Sequence, residues 1–302
     1  MGGIVINKRE YKGWKNCIEI SNGIIDAIAT TDVGPRIIRF GFVGRNNMFC
    51  EMEDQVGKTG GNEWNIFGGH RLWHSPENNP RSYSPDNYPI DYEIKENSVI
   101  LKQPVEPWTN IRKEIEFTMC ENSAKVKVLH RLINEGAWDV ELSVWALSVM
   151  AAGGIEIMPQ VRKDTGVLPN RMVSLWPYAK MNDDRVYWGE NYITLKQDIN
   201  AKGPFKIGLP NEDGWAAYIN NSIMFAIKYE HKVDAKYPDY ASSYETYTNG
   251  TMLEMESLSP LVKLAPGETI EHTETWMLFD NVKVPENEKE IDEIILPLIK
   301  QM

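Results

Sequence analysis

The stretch Val140-Glu141-Leu142-Ser143-Val144-Trp145-Ala146-Leu147 alternates along its whole length. Val140, Leu142, Val144 and Ala146 fall on one side, and Glu141, Ser143, Trp145 and Leu147 on the other. A period of two belongs to a half-buried strand, because successive Cβ atoms point to opposite faces of a sheet. Upstream, Val126-Lys127-Val128-Leu129-His130-Arg131-Leu132 repeats the pattern, and Asn134-Glu135-Gly136 between the two marks a turn.

The same signal extends in both directions. Ile18-Glu19-Ile20, with Asn22-Gly23 before Ile24, reads as strand, tight turn and strand. Further short strands are expected around 37–42, 111–117, 192–195, 216–219, 224–228, 253–255 and 269–278, separated by breakers such as Asn249-Gly250 and Ala265-Pro266-Gly267. Helical spacing occurs once, at Ile291, Ile294, Ile295 and Leu298, where Pro297 is expected to limit the last turn. Many short strands without a linker predict an all-β fold. The expected architecture is a large antiparallel β-sandwich with a short C-terminal helix, built as one domain over 1–302.

Composition narrows the function. A formal net charge of -11 argues against nucleic acid or an anionic membrane as partner. Cys17, Cys50 and Cys120 are scattered and form no CxxC pair, which fits a reducing compartment better than a disulfide framework. The opening MGGIVINKREYKGW does not read as a signal peptide, and no stretch approaches the roughly 18 apolar residues of a membrane span. A cytoplasmic location is expected. The ten Trp and thirteen Tyr exceed ordinary need, and flat amphipathic rings are what a carbohydrate site stacks against sugar C–H faces. A small-molecule carbohydrate is the expected partner, with no cofactor, and the oligomeric state is left open.

Three clusters could carry the chemistry. Gly68-Gly69-His70-Arg71-Leu72-Trp73-His74-Ser75-Pro76-Glu77 packs imidazole, guanidinium, indole and carboxylate into one decapeptide, followed by a proline-rich loop to Pro89. The Gly pair and Pro76 argue against a regular element here. Three readings stand for this loop: histidines bracing a turn; His70 and His74 holding a metal with Glu77 or a distant carboxylate; or a substrate site. In a substrate site, a histidine exchanges a proton, Arg71 and Glu77 grip oxygens, and Trp73 supplies a stacking face. The second cluster, Tyr237 to Tyr247, is a polar aromatic loop containing Asp239. It leads into Leu253-Glu254-Met255-Glu256, where a strand would put Glu254 and Glu256 on one face, suited to gripping a polyol or acting as a base. The third, Trp176-Pro177-Tyr178 with Asp183-Asp184-Arg185, belongs at an edge or loop because Pro177 bars a central strand.

Several of these segments carry a family resemblance. Val33-Gly34-Pro35-Arg36-Ile37-Ile38 with Gly44-Arg45-Asn46 resembles the opening strands of galactose mutarotase (aldose 1-epimerase)-like proteins. Leu253 to Leu261, Leu264-Ala265-Pro266-Gly267-Glu268 and His272-Thr273-Glu274-Thr275-Trp276 are similar to that superfamily's final strands. Gly68-Gly69-His70-Arg71-Leu72-Trp73 sits where its hexose-phosphate branch has a Gly-Gly turn and aromatic motif. The resemblance implies a β-supersandwich that binds carbohydrate. It also implies a glutamate base toward the anomeric hydroxyl, mapping to Glu254 or Glu256 with Glu256 preferred, and a histidine acid toward the ring oxygen. The strand that would supply the histidine reads Val144-Trp145-Ala146-Leu147-Ser148-Val149-Met150 and has none. Three outcomes follow: His74 or His70 serves as acid from another segment, the reaction differs, or the protein is a non-catalytic carbohydrate-binding module. An epimerase or isomerase with Arg71, Trp73, Glu77, Trp176, Tyr178, Asp239 and Tyr247 around the sugar is the leading reading, and a metal-assisted enzyme using His70 and His74 is the third.

Overall fold

The alternating segments pair as two antiparallel sheets, in a computed structural model that describes residues 3–302. One sheet has 11 strands, and its centre runs Arg36–Phe42, Gly69–Ser75, Val140–Met150, Leu253–Leu258, Tyr244–Thr248 and Phe205–Leu209. The other has 10, with Thr269–Phe279 paired between Ile223–Tyr229 and Lys125–Asn134. The period-two pattern explains the stacking. Leu142, Val144, Met150, Leu253 and Met255 of the first sheet meet Val126, Val128, Phe225 and Leu278 of the second in one continuous core. Phe40, Phe49, Phe225 and Trp276 close its middle, with neighbouring ring centroids 5.5 to 6.3 Å apart. Each such fully buried ring contributes on the order of 2–3 kcal/mol of transfer free energy.

The fold is a two-sheet antiparallel β-sandwich, all-β apart from short helical turns and a C-terminal helix. Three local expectations are corrected. Gly68 to Glu77 is not a loop: residues Gly69–Ser75 form a fully buried strand. Tyr237 to Tyr247 is a loop only at its start, since Tyr244–Thr248 is a strand whose Tyr244 packs in the core. Pro297 does not end the C-terminal helix. The chain turns through Glu288–Glu290, widens to π-type bonding over Ile291–Ile295 and continues over Leu296–Ile299, with Pro297 in the first turn of that last segment, where a missing N–H is tolerated. Ile291, Ile295 and Ile299 pack against Ile157, Tyr192 and Trp215 on the outer face of the second sheet.

Candidate functional site

The glycine pair sets the position of the Gly69–Ser75 strand. Gly68 and Gly69 have φ of +98° and +71°, and a Cβ on Gly69 would lie 2.4 Å from the Ile37 carbonyl oxygen. Only glycine lets the chain pass this close to the neighbouring strand and then pair with it. From there the alternation divides the motif. His70, Leu72 and His74 face the second sheet, while Arg71 and Trp73 face outward. Register completes the outer face: Arg71 pairs with Leu147 and Trp73 with Trp145. Leu147 pairs in turn with Glu256 and Val149 with Glu254. Glu256 then pairs with Glu245, Glu254 with Tyr247, and Tyr247 with Lys206.

These outward side chains surround a cavity of about 220 Å³, lined by Trp64, Trp73, Tyr83, Trp145, Tyr178 and Tyr247 around Arg71, Glu77, Lys206 and Glu254. The aromatic walls interlock edge to face, Trp73 lying 5.3 Å from Trp145, 5.4 Å from Trp64 and 5.1 Å from Tyr83. Arg71 stacks on Trp73 at 4.9 Å and Trp64 at 5.5 Å, with Nη1 2.8 Å from Glu254 Oε1. That contact is close but poorly aligned. Arg71 Nη1 and Glu254 Oε1 therefore have no hydrogen-bond partner among the described residues, and neither do Arg71 Nε and Trp64 Nε1. Tyr83 donates its hydroxyl to Glu77.

Behind the wall, Glu256 is fully buried. Its Oε2 accepts from Trp145 Nε1 at 2.8 Å and Lys206 Nζ at 2.9 Å, while Oε1 has no partner among the described residues. Lys206 Nζ also lies 2.9 Å from Glu245 Oε2 and sits between the rings of Trp145 and Trp176, at 4.6 and 4.7 Å. Burial pushes the Glu256 carboxyl up to about 7, against the pull of Lys206 and with Glu254 adding to the rise. Burial also pushes Glu245 well above the carboxylate range despite Lys206, with the neighbouring Glu256 adding to the rise. Burial alone would lower Lys206, but the two glutamates hold it well above its ordinary value.

The structure separates the predicted acids from this cavity. His70 Nε2 lies 2.7 Å from His130 Nε2, and its Nδ1 lies 2.9 Å from Ser148 Oγ. His130 Nδ1 faces the His272 carbonyl at 3.0 Å, an acceptor only, so that nitrogen carries the proton. With neutral rings, His70 Nε2 then donates to His130 Nε2, and Ser148 donates to His70 Nδ1. Burial, then the neighbouring imidazole, lowers His70 well below the ordinary histidine range. His74 also faces inward, 3.6 Å from Glu106, and is lowered by burial. Four residues of strand span about 13 Å, so His70 and His74 cannot share a metal. Atoms of His70, His130 and Glu274 do lie within 4.8 Å of one another. Each already has hydrogen-bond partners, Glu274 accepting from Ser257 at 2.5 Å and Trp276 at 2.7 Å.

The remaining sequence candidates divide. Arg71, Trp73, Glu77, Tyr178, Tyr247 and Glu254 line the cavity, and Glu256 lies directly behind it. Trp176 stands over Lys206 without reaching the lining. Asp239 does not reach the cavity; its carbonyl accepts from Ser174 and Ser242 at 2.6 and 2.9 Å. Lys206 and Trp64 had no motif to announce them, while Glu245, Trp145 and Tyr83 lay in stretches already singled out but carried no role of their own. Lys206 and Glu245 look like solvated positions of alternating strands, and only cross-strand register reveals that they face each other.

No protein-family model matches the chain, nor does any curated protein. Solved structures match it in fold. A galactose mutarotase-like protein from Lactobacillus casei superposes with a TM-score of 0.57 at 10% identity, over 87% of this chain and 100% of that one. A galactose mutarotase-like protein from Clostridium acetobutylicum gives 0.56 at 10% identity, over 92% and 99%. A TPR-domain containing protein from Parabacteroides distasonis gives 0.61 at 13% identity over 90% of this chain; the chain spans about half of that protein, 49% of its length.

Proposed function

We propose that the protein binds an uncharged aldose in the tryptophan-lined cavity and interconverts its anomers, an aldose 1-epimerase type of reaction. The observation that carries this reading is the cavity itself: stacking rings around the Arg71 guanidinium and the Glu254 carboxylate, with Glu256 of the same strand directly behind. At about 220 Å³ it suits a ligand smaller than the drug-sized molecules that occupy roughly 300–1,000 Å³ pockets. Arg71 and Lys206 are balanced by Glu77 and Glu254, with Glu256 behind, which leaves no excess positive charge for a phosphate.

In this reading the anomeric hydroxyl reaches past the cavity wall to Glu256 Oε1, the oxygen of that carboxylate without a partner, which takes its proton. The bond between C1 and the ring oxygen breaks, C1 becomes an aldehyde, and the Lys206 ammonium gives a proton to the departing ring oxygen. Arg71 holds neighbouring hydroxyls. Rotation about C1–C2 and reversal of both proton transfers closes the other anomer. Lys206 thus takes the part expected of His74 or His70, and an ammonium held between two glutamates suits an alkoxide, which is strongly basic.

NMR exchange between the anomers of D-glucose and D-galactose tests this. Acceleration by wild type, reduced ~100–10,000-fold in Glu256→Gln with binding retained, is the expected result. The presence of Leu147 directly opposite Glu256, where an imidazole could have stood, favours a second reading as a non-catalytic binding module. Sugar binding without acceleration would establish that reading, and absence of binding would overturn both.

A further inference from the structure

The cavity has a neighbour. A groove of about 460 Å³ runs from Tyr178 along Lys180, Asn182, Asp183, Asp184 and Arg185 to the Asp198–Pro204 turn. Tyr178 lines both spaces. Its ring stands at 86° to that of Tyr247, 6.4 Å away, at the boundary. Pro204 lies on the groove, and Lys206, two residues on, on the cavity, so a single chain segment floors both.

The groove is built rather than incidental. Asp183 accepts from Arg185 Nε at 2.9 Å and Nη2 at 2.8 Å, and also from its backbone N–H at 3.0 Å. This three-point clamp fixes the plane of the guanidinium, whose side chain is only 9% exposed. Its remaining nitrogen, Nη1, is buried and has no hydrogen-bond partner among the described residues. Asp198 Oδ1 accepts from the Asn200 backbone at 2.8 Å and shapes the opposite bank. Three acids (Asp183, Asp184, Asp198) face three bases (Lys180, Arg185, Lys202), so the lining has no net charge. Interleaved donors and acceptors without net field match vicinal hydroxyls better than a phosphate or a carboxylate.

We propose that this groove is a second sugar subsite, so that the ligand is a disaccharide or longer glycan. Its reducing unit fills the tryptophan-lined cavity, and the next unit crosses Tyr178 to lie against Arg185. The inference rests on the proposed sugar site, and it replaces a free monosaccharide with the reducing end of a chain. No bond is made or broken in the groove.

Titration calorimetry with D-glucose, D-galactose, cellobiose, maltose and lactose separates the two readings. At least one disaccharide is expected to bind ten-fold or more tightly than the monosaccharide of its reducing end. In Arg185→Met that ratio should fall toward one. Monosaccharide binding with no gain from any disaccharide would overturn the subsite and leave the proposed function standing, and no binding by any of the five would overturn both. Should Arg185→Met fail to fold, the wild-type ratio alone decides the matter. Saturation-transfer NMR then adds the contact: the non-reducing unit should receive magnetisation from the aromatic protons of Tyr178, and a non-reducing unit untouched by it would sink the proposal.

Discussion

Lys206→Met keeps most of the stem between Trp145 and Trp176 and removes the ammonium that lies 2.9 Å from both Glu245 and Glu256. The two glutamates, directly paired across their strands, then have no cation between them. Each holds its proton to higher pH than in the wild type. A carboxyl raised in the folded state stabilises the fold at low pH, and that stabilisation is lost as pH rises above the unfolded value. The penalty grows by about 1.4 kcal/mol per pH unit per group until the folded group ionises. At pH 5.5 Glu256 is protonated with or without Lys206, because its carboxyl titrates at about 7. At pH 8 the wild type has ionised Glu256 against Lys206, and the variant must either withhold the charge or bury it unpaired. The expected loss is about 3 kcal/mol at pH 8, the lower end for stripping a buried ion of its partner, and about 1 kcal/mol or less at pH 5.5. Urea denaturation followed by tryptophan fluorescence at both pH values measures it. An equal loss at the two would refute the electrostatic argument and assign Lys206 to packing between the indoles.

Other perturbations have equally definite outcomes. Glu156, fully buried and accepting from Tyr244 at 2.5 Å and Thr246 at 2.6 Å, is pushed up to about 8 by burial. Its contribution is lost as pH rises toward 8, while the histidines are neutral in folded and unfolded chains alike. The melting temperature should therefore fall between pH 7 and 8, and fall less steeply in Glu156→Gln; parallel curves would count against this. Gly69→Ala places a methyl 2.4 Å from the Ile37 carbonyl at a positive φ and should cost more than about 2 kcal/mol, checked by thermal melting. A variant that melts with the wild type would show that the strand shifts without penalty. Leu147→His puts an imidazole opposite Glu256 on the cavity wall and should raise the anomer exchange rate at neutral pH if proton delivery limits it. A rate that falls in a folded variant would place the limit elsewhere.

The sandwich was legible because alternation is a local property: Val140 to Leu147 and Leu253 to Glu256 state their own faces. The two glutamates were readable together for the same reason. The histidines were misjudged on composition. A Gly pair and a following proline suggested a loop, yet Gly69 opens a strand at a close backbone crossing, and the alternation that then applies turns Arg71 and Trp73 outward and both histidines inward. Nothing local announced Lys206. It becomes a partner of Glu256 only through pairing between segments some fifty residues apart, and register at that range is written in no single stretch.

The order of strands in the site sheet has a consequence for how the protein is made. Leu253–Leu258 lies between Val140–Met150 and Tyr244–Thr248, yet it is synthesised after both of them. Until it emerges, Val140–Met150 presents a long apolar edge with open backbone donors and acceptors, the kind that recruits stray strands from other chains. The arrival of the Glu254–Glu256 segment therefore closes a seam as well as completing a cavity. Chains that end before residue 253 should depend on chaperones, and the full-length chain should not.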